Sequence, residues 1–277
     1  MSDLSQPDLL EPDLPQSDFV QPDFVQPDFV QPDLPVLHEI WHQTLGWQPT
    51  EEQQGQFQKL YEQILEGNRL LNLTRITEPQ EFWEKHLWDS LWGIKPWLTD
   101  IAEAEMASPD PQGSPYKVID IGTGCGFPGV PVAIARPDWL VTLLDSTRKK
   151  LVFLDSVLES LGITNAQTWV ERAEQLGKSV EHREQYDLVL IRAVASTVVC
   201  AQYCLPLLKV GGVAVLYRGQ WTEEEAIALK SVVSKLGGEV EAVEAVTTPL
   251  SEGTRHCIYL KKVLTAQKKL PQRRDIG

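Results

Sequence analysis

From Tyr116 to Lys262 short apolar runs alternate with helical periodicities, and this alternation constrains the fold more than any other feature. The runs YKVIDI, LVTLLD, QTWVE, YDLVLI and GVAVLY are separated by helical patterns at 128–135, 147–161, a short turn of helix, and 196–208. A further helical pattern at 221–236 leads to EVEAVEAV and then RHCIYLKK. Strand and helix in strict alternation predict a parallel sheet with helices on both faces, an α/β Rossmann-like fold. The last two strands follow each other with no helix between them, which predicts an antiparallel hairpin at the sheet edge.

The first strand runs into Val118-Ile-Asp-Ile-Gly-Thr-Gly-Cys-Gly-Phe-Pro-Gly129. Glycines between a strand and a helix let the chain turn tightly and let backbone approach a ligand. Read from Gly122 the pattern is GxGxG; read from Gly124 it is GxGxxG, the dinucleotide pattern. The glycines alone do not choose between them. Asp120 favours the first reading. A carboxylate at the strand end would repel a pyrophosphate, whereas S-adenosyl-L-methionine brings an ammonium and a sulfonium and no phosphate. The alternative is that Asp120 only caps the loop. Asp145 closes LVTLLD, where an acid accepts hydrogen bonds from ribose hydroxyls; this supports an adenosyl ligand of either kind. The antiparallel ending also fits a class I methyltransferase better than a dinucleotide fold.

Upstream, residues 36–110 read as a helical cap. Phe57, Leu60, Tyr61, Ile64 and Leu65 follow the helical period, and Pro79 starts a second helix through Phe82, Leu87, Leu91 and Ile94. Six of nine Trp lie between Trp41 and Trp97, which suits a packed core better than RNA stacking at that spacing. The loop SPDPQGSP at 108–115 separates the cap from a methyltransferase domain at 116–264. Residues 6–35 repeat a pentapeptide, QPDLL to QPDLP, with Pro second in five of six units and Asp third in all. Proline this frequent forbids helix interiors, so 1–35 reads as a disordered leader; Phe19, Phe24 and Phe29 leave a docking tail as the alternative.

At this point the chain resembles a family. IDIGTGCGFPGVP, TLLDSTRKKLVFL, VERAE and YDLVLIRAVAS, with NRLLNLTRI, KHLWDSL, YRGQ and GTRH around them, are similar to the bacterial small-subunit rRNA (guanine-N7)-methyltransferases, also called the glucose-inhibited division protein B family. The likeness covers about residues 40–262. It implies methyl transfer to N7 of a guanine in the 530-loop region of 16S rRNA, within a small ribosomal subunit or its precursor. Carried over by position, it implies cofactor contacts at Gly122, Phe127, Asp145, Ser146, Thr147, Ala173, Glu174 and Arg192, alongside Asp120 and Gly124 from the loop. The leader lies outside the family pattern, and Arg218 stands where many members carry Lys.

Guanine N7 exposes a lone pair and carries no proton, so its methylation needs alignment rather than a base or a covalent nucleophile. No nucleophile-and-base motif is evident, and Cys125 in the loop has no pKa-lowering neighbour in sequence. Acceptors for guanine N1–H and N2–H are sought at Asn72, Asp89 and the backbone after Arg192. Arg192 and Arg218 end consecutive strands and are candidates for phosphate or guanine O6, unless each pairs with a nearby acid. His86, Asp89 and Ser90 are candidates for the inner face of the cap, a satisfied core histidine being the alternative for His86.

The net charge of −14 argues against a nucleic-acid partner until its distribution is read. Residues 1–35 carry seven Asp, one Glu and no Lys or Arg; residues 255–277 carry seven Lys/Arg and one Asp. The basic set Arg255, Lys261, Lys262, Lys268, Lys269, Arg273 and Arg274, continuing into a basic tail at 265–277, is therefore the RNA candidate, with His256 and Arg218 beside it. No apolar run spans a membrane, no basic-then-apolar start marks a signal peptide, and the four cysteines lack zinc spacing. A cytoplasmic, metal-free monomer is expected. The competing readings are a methyltransferase acting on another acceptor, a small molecule or protein, and, from another class, an oxidoreductase using Gly124, Gly126, Gly129 and Asp145 with NAD, for which a Tyr-x-x-x-Lys hydride-site pair is lacking.

Overall fold

The structure, a computed structural model, describes residues 32–98 and 114–264. The repeat up to Gln31, Lys268, Lys269, Arg273, Arg274 and the rest of the basic tail lie outside these residues. The sheet comprises β1 (Lys117–Ile121), β2 (Leu140–Asp145), β3 (Ala166–Val170), β4 (Tyr186–Arg192), β5 (Leu208–Arg218), β6 (Gly238–Thr247) and β7 (Thr254–Lys262). Its order is β3-β2-β1-β4-β5-β7-β6. β1 to β5 pair in parallel, and β7 runs antiparallel between β5 and β6. This is the class I S-adenosylmethionine-dependent methyltransferase arrangement. The terminal hairpin is present, with β7 inserted and β6 at the edge.

Side chains alternate across each strand, and this period of two divides the core. Val118, Leu188, Leu190, Val213, Val215, Tyr217, Cys257 and Tyr259 share one cluster. Ile119, Ile121, Val189, Ile191, Ala214, Leu216, Ile258 and Leu260 share the other. The second face is covered by α7 (Ala173–Leu176), α8 (Thr197–Cys204) and α9 (Glu223–Lys235). The first is covered by α5 (Gly129–Ala135), α6 (Arg148–Ser160) and the N-terminal helices.

Those helices are α1 (His38–Leu45), α2 (Glu51–Leu71), α3 (Pro79–Phe82), a π-helical segment (Trp83–Trp88) and α4 (Asp89–Trp92). Thr50 and Gln53 form a capping box at the start of α2, and Gln53 Nε2 also donates to the Ile134 carbonyl at 2.8 Å. Trp41, Trp83 and Trp88 are almost fully buried, so these rings are core rather than RNA platforms. Tyr217 Oη donates to the Ser90 carbonyl at 2.8 Å, fixing α4 on β5. The helix expected from Pro79 through Ile94 is instead divided by the π-helical winding, which the apolar period did not foretell. No helix among the described residues is long and apolar enough to cross a membrane.

Candidate active site

The glycine loop turns over the carboxyl ends of β1 and β2. Gly122 and Thr123 both donate to the Leu144 carbonyl, at 2.8 and 2.9 Å. Gly122 has φ +70°, and a Cβ there would lie 2.5 Å from Val194 Cγ2, so only glycine fits. Asp145 takes the Gly124 N–H at 3.1 Å on one carboxylate oxygen and the Thr147 N–H at 2.8 Å on the other. A cleft of about 260 Å³ opens beside this turn, lined by Gly122, Asp145, Ser146, Ala173 and Glu174 among the expected residues. Glu171, Arg172, Val194, Ala195 and Tyr203 line it as well and were not expected. Sequence carried a partial signal for them: 171 and 172 flank the WVERAE acid, and 194 and 195 follow Arg192 in IRAVAS.

Several expected residues stand elsewhere. Asp120 is fully buried, and its carboxylate accepts the Gly129 N–H at 2.9 Å at the start of α5. It does not line the cleft, so the loop-capping alternative describes its contact. The even positions of β1 point toward α5, which turns the side chain under the loop. Burial is the chief cause that pushes its pKa up to about 6, against hydrogen bonds from Thr123 and Gly129 and the charge of Arg192. Phe127 is also buried; its ring stacks on His86 at 4.4 Å between centroids and 10° between planes, inside the helical layer. Glu174 is in an ion pair with Arg172, which holds its carboxyl below the usual range.

Arg192 ends β4 on the face toward the N-terminal helices. Its Nη1 donates to Asp89 Oδ2 at 2.9 Å and to the Lys85 carbonyl at 2.9 Å. Asp89 Oδ1 lies 3.5 Å from Arg255 Nε. The Asp89 carboxylate is thus committed to two arginines rather than free to accept from a base. Arg192 Nη2 reaches His86 Nδ1 at 3.4 Å, and His86 Nε2 reaches Thr74 Oγ1 at 2.9 Å. Guanidinium only donates, so Nδ1 accepts and the proton sits on Nε2. Burial, then the charges of Arg192 and Lys85, lowers the His86 pKa to about 3, and the ring is neutral. Asn72 is the exposed C-cap of α2 and lines a different depression, with Asn68 and Thr74.

The two strand-end arginines do not form one site. Arg218 follows Ala214 and Leu216 onto the opposite face, where it pairs with Glu225 at 2.9 Å. His256 pairs with Arg218 across the strands, so the GTRH segment sits at the carboxyl edge. A depression there is lined by Gly219, Gln220, Trp221, Thr222, Arg255 and His256. Lys261 is opposite Val213, five residues along β7, or about 17 Å, toward the amino edge. It is paired with Glu241 at 2.8 Å. Lys262 is fully buried with its ammonium on the Leu236 carbonyl. The basic stretch of the sequence is therefore split, and neither lysine belongs to the carboxyl-edge surface.

The chemistry available is alignment. Cys125, Cys200, Cys204 and Cys257 are free and buried, and burial raises each thiol's pKa, so none offers a thiolate.

Comparison with known proteins gives the family. A family model described as rRNA small subunit methyltransferase G matches residues 53–258. Proteins named ribosomal RNA small subunit methyltransferase G are similar to most of the chain. The one from Trichormus variabilis is 59% identical over 239 residues, covering 86% of this chain and 94% of its own. That from Nostoc punctiforme is 58% identical over 244 residues, covering 88% and 96%. That from Microcystis aeruginosa is 51% identical over 229 residues, covering 83% and 99%.

Proposed function

The chain belongs to the rRNA small subunit methyltransferase G family, and from that membership we propose that it transfers the methyl group of S-adenosyl-L-methionine to N7 of a guanosine in the 530-loop region of 16S rRNA. One observation carries the reading: the family match spans a chain whose glycine loop, Asp145 and Ala173 surround one cleft at the carboxyl edge of the parallel strands. In open α/β sheets, ligands bind at that edge.

The residues present fit the cofactor. Asp145 would hold the ribose hydroxyls; its two oxygens each keep acceptor capacity beyond one backbone N–H. Gly122 and Gly124 leave room for close backbone approach, and the region of Ala173 and Glu174 would take the adenine end. Asp120 puts a buried carboxylate under the loop, which suits a cationic ligand above it. When bound, the cofactor supplies an electrophilic methyl group on a sulfonium.

The rest falls to this chain. Arg192, held by Asp89, sets the helical layer against the end of β4 and borders the cleft through the following Val194 and Ala195. Arg255 and Arg218 offer cations at the carboxyl edge for the RNA backbone and the guanine O6 edge, with the His256 ring beside them. Because N7 has no proton to lose, holding the base in line and excluding water suffices, and no side chain has to titrate. We further propose a cytoplasmic monomer acting on a small ribosomal subunit or its precursor.

The test is methyl transfer from radiolabelled S-adenosyl-L-methionine to small subunits from a strain that lacks the modification, followed by mass mapping of the RNA. Label at a single 530-loop guanosine is expected. Cofactor binding with no label on rRNA would overturn the substrate assignment and leave a methyltransferase for another acceptor.

A further inference from the structure

Glu84 is a charged residue at only 2% exposure, in the first turn of the π-helical segment. It faces the turn between β6 and β7. One carboxylate oxygen accepts the Leu250 N–H at 2.6 Å and the Ser251 N–H at 2.9 Å, and the other accepts the Ser251 hydroxyl. Burial alone would raise its pKa, but the hydrogen bonds from Ser251, Leu250 and Thr248 outweigh it and the net shift is downward. The carboxylate therefore stays charged and bonded to the turn.

The turn is also closed on itself. Thr248 N donates to the Gly253 carbonyl at 2.7 Å, and Gly253 N donates to Thr248 Oγ1 at 2.9 Å. Two residues after Gly253 comes Arg255, which reaches Asp89. Asp89 binds Arg192, and Arg192 binds the carbonyl of Lys85, the residue next to Glu84. These contacts form a closed ring from the π-helical segment through the turn, β7, α4 and β4 back to the segment. Among the described residues of that ring, Glu84 is the one bonded directly to the turn.

We propose that Glu84 is a positioning residue for RNA: by clamping the 248–253 turn it sets where Arg255 stands at the carboxyl edge. This rests on the methyltransferase reading above. The two backbone N–H groups make charge-assisted bonds to one carboxylate oxygen; an amide oxygen accepts both about half as strongly, and its NH2 can still meet the Ser251 hydroxyl, so Glu84→Gln weakens the clamp by removing its charge. Loss of the clamp loosens the turn that leads into Arg255, whose backbone stays in the ladder opposite Val246, while the residues lining the cofactor cleft do not include Glu84 or the turn.

Glu84→Gln, Ser251→Ala and Arg255→Ala are compared with the parent chain, and Glu84→Gln is also combined with Arg255→Ala. The readouts are S-adenosylhomocysteine affinity, kcat and KM for the small subunit, and melting temperature. Glu84→Gln should raise the RNA KM roughly tenfold with kcat within about twofold, the pattern of lost binding shared by ground and transition states. Ser251→Ala, which removes a single hydroxyl from the turn side, should raise it in the same direction by less. Cofactor affinity should not move, and the double variant should be no worse than Arg255→Ala alone, because both act through the same side chain. A lowered melting temperature with unchanged KM would make Glu84 a stability residue only, and additive losses in the double variant would overturn action through Arg255. A parent chain that binds S-adenosylhomocysteine yet never labels rRNA would instead overturn the function reading, and the RNA role of Glu84 with it.

Discussion

Arg192 and Asp89 are 103 residues apart in sequence and meet at 2.9 Å, the first at the end of β4 and the second at the start of α4. Their side chains are only 16% and 10% exposed, so the pair is shielded from water and each charge depends on the other. Asp89 also faces Arg255, which makes it the single anion between two cations. Asp89→Asn should therefore leave buried positive charge uncompensated and cost about 3 kcal/mol, the low end for breaking a buried pair. Urea unfolding at neutral pH reads this directly. A loss under about 0.5 kcal/mol, the range of ordinary surface changes, would sink the view that the pair holds the helical layer to the sheet.

Asp120 predicts a pH dependence. Its folded pKa of about 6 stands above the ordinary 3.8. Between about pH 4 and pH 6 the folded chain keeps a proton that the unfolded chain has released, so this group makes stability fall as pH rises through the window. Above about pH 6 the full cost, about 3 kcal/mol at two units of difference, is present. Asp120→Asn cannot titrate and should flatten the unfolding midpoint across that interval relative to the parent. An identical pH slope in both proteins would show that the carboxyl is not raised.

Gly122→Ala should fail for two separable reasons. The position has φ +70°, and the new Cβ would stand 2.5 Å from Val194 Cγ2. The left-handed backbone alone costs about 1–2 kcal/mol for an L side chain. Loss of S-adenosylhomocysteine binding by calorimetry is expected, with partial recovery in Gly122→Ala combined with Val194→Ala, which relieves the clash but not the dihedral. Full recovery would mean that the clash alone mattered.

The split of the basic residues makes a paired prediction. Arg255→Ala should weaken binding to the small subunit and reduce the salt dependence of that binding by about one phosphate contact. Lys261→Ala, near the amino edge and already paired with Glu241, should change neither. Equal losses in the two variants would restore a continuous basic surface along β7.

Much of this molecule was legible before any coordinates. The strand and helix order from Tyr116 onward, the glycine turn and the acid closing β2 all follow from local rules: period-two and helical hydrophobicity, positive-φ glycines and strand-end position. Those rules act over a few residues, so sequence determines them by itself. What only tertiary structure decided is which strand-end groups share a face and a partner. Arg192 and Arg218 end neighbouring strands, yet the first follows Leu190 toward the helical layer and the second follows Leu216 toward α9. Lys261 and Arg255 share one basic stretch, yet an antiparallel strand carries them toward opposite edges of the sheet. Asp120 stands near the end of β1 beside the glycine loop, and only the fold shows that strand alternation turns its carboxylate under the loop to Gly129. Charge and hydrogen bonding act across space, and distance along the chain does not encode them.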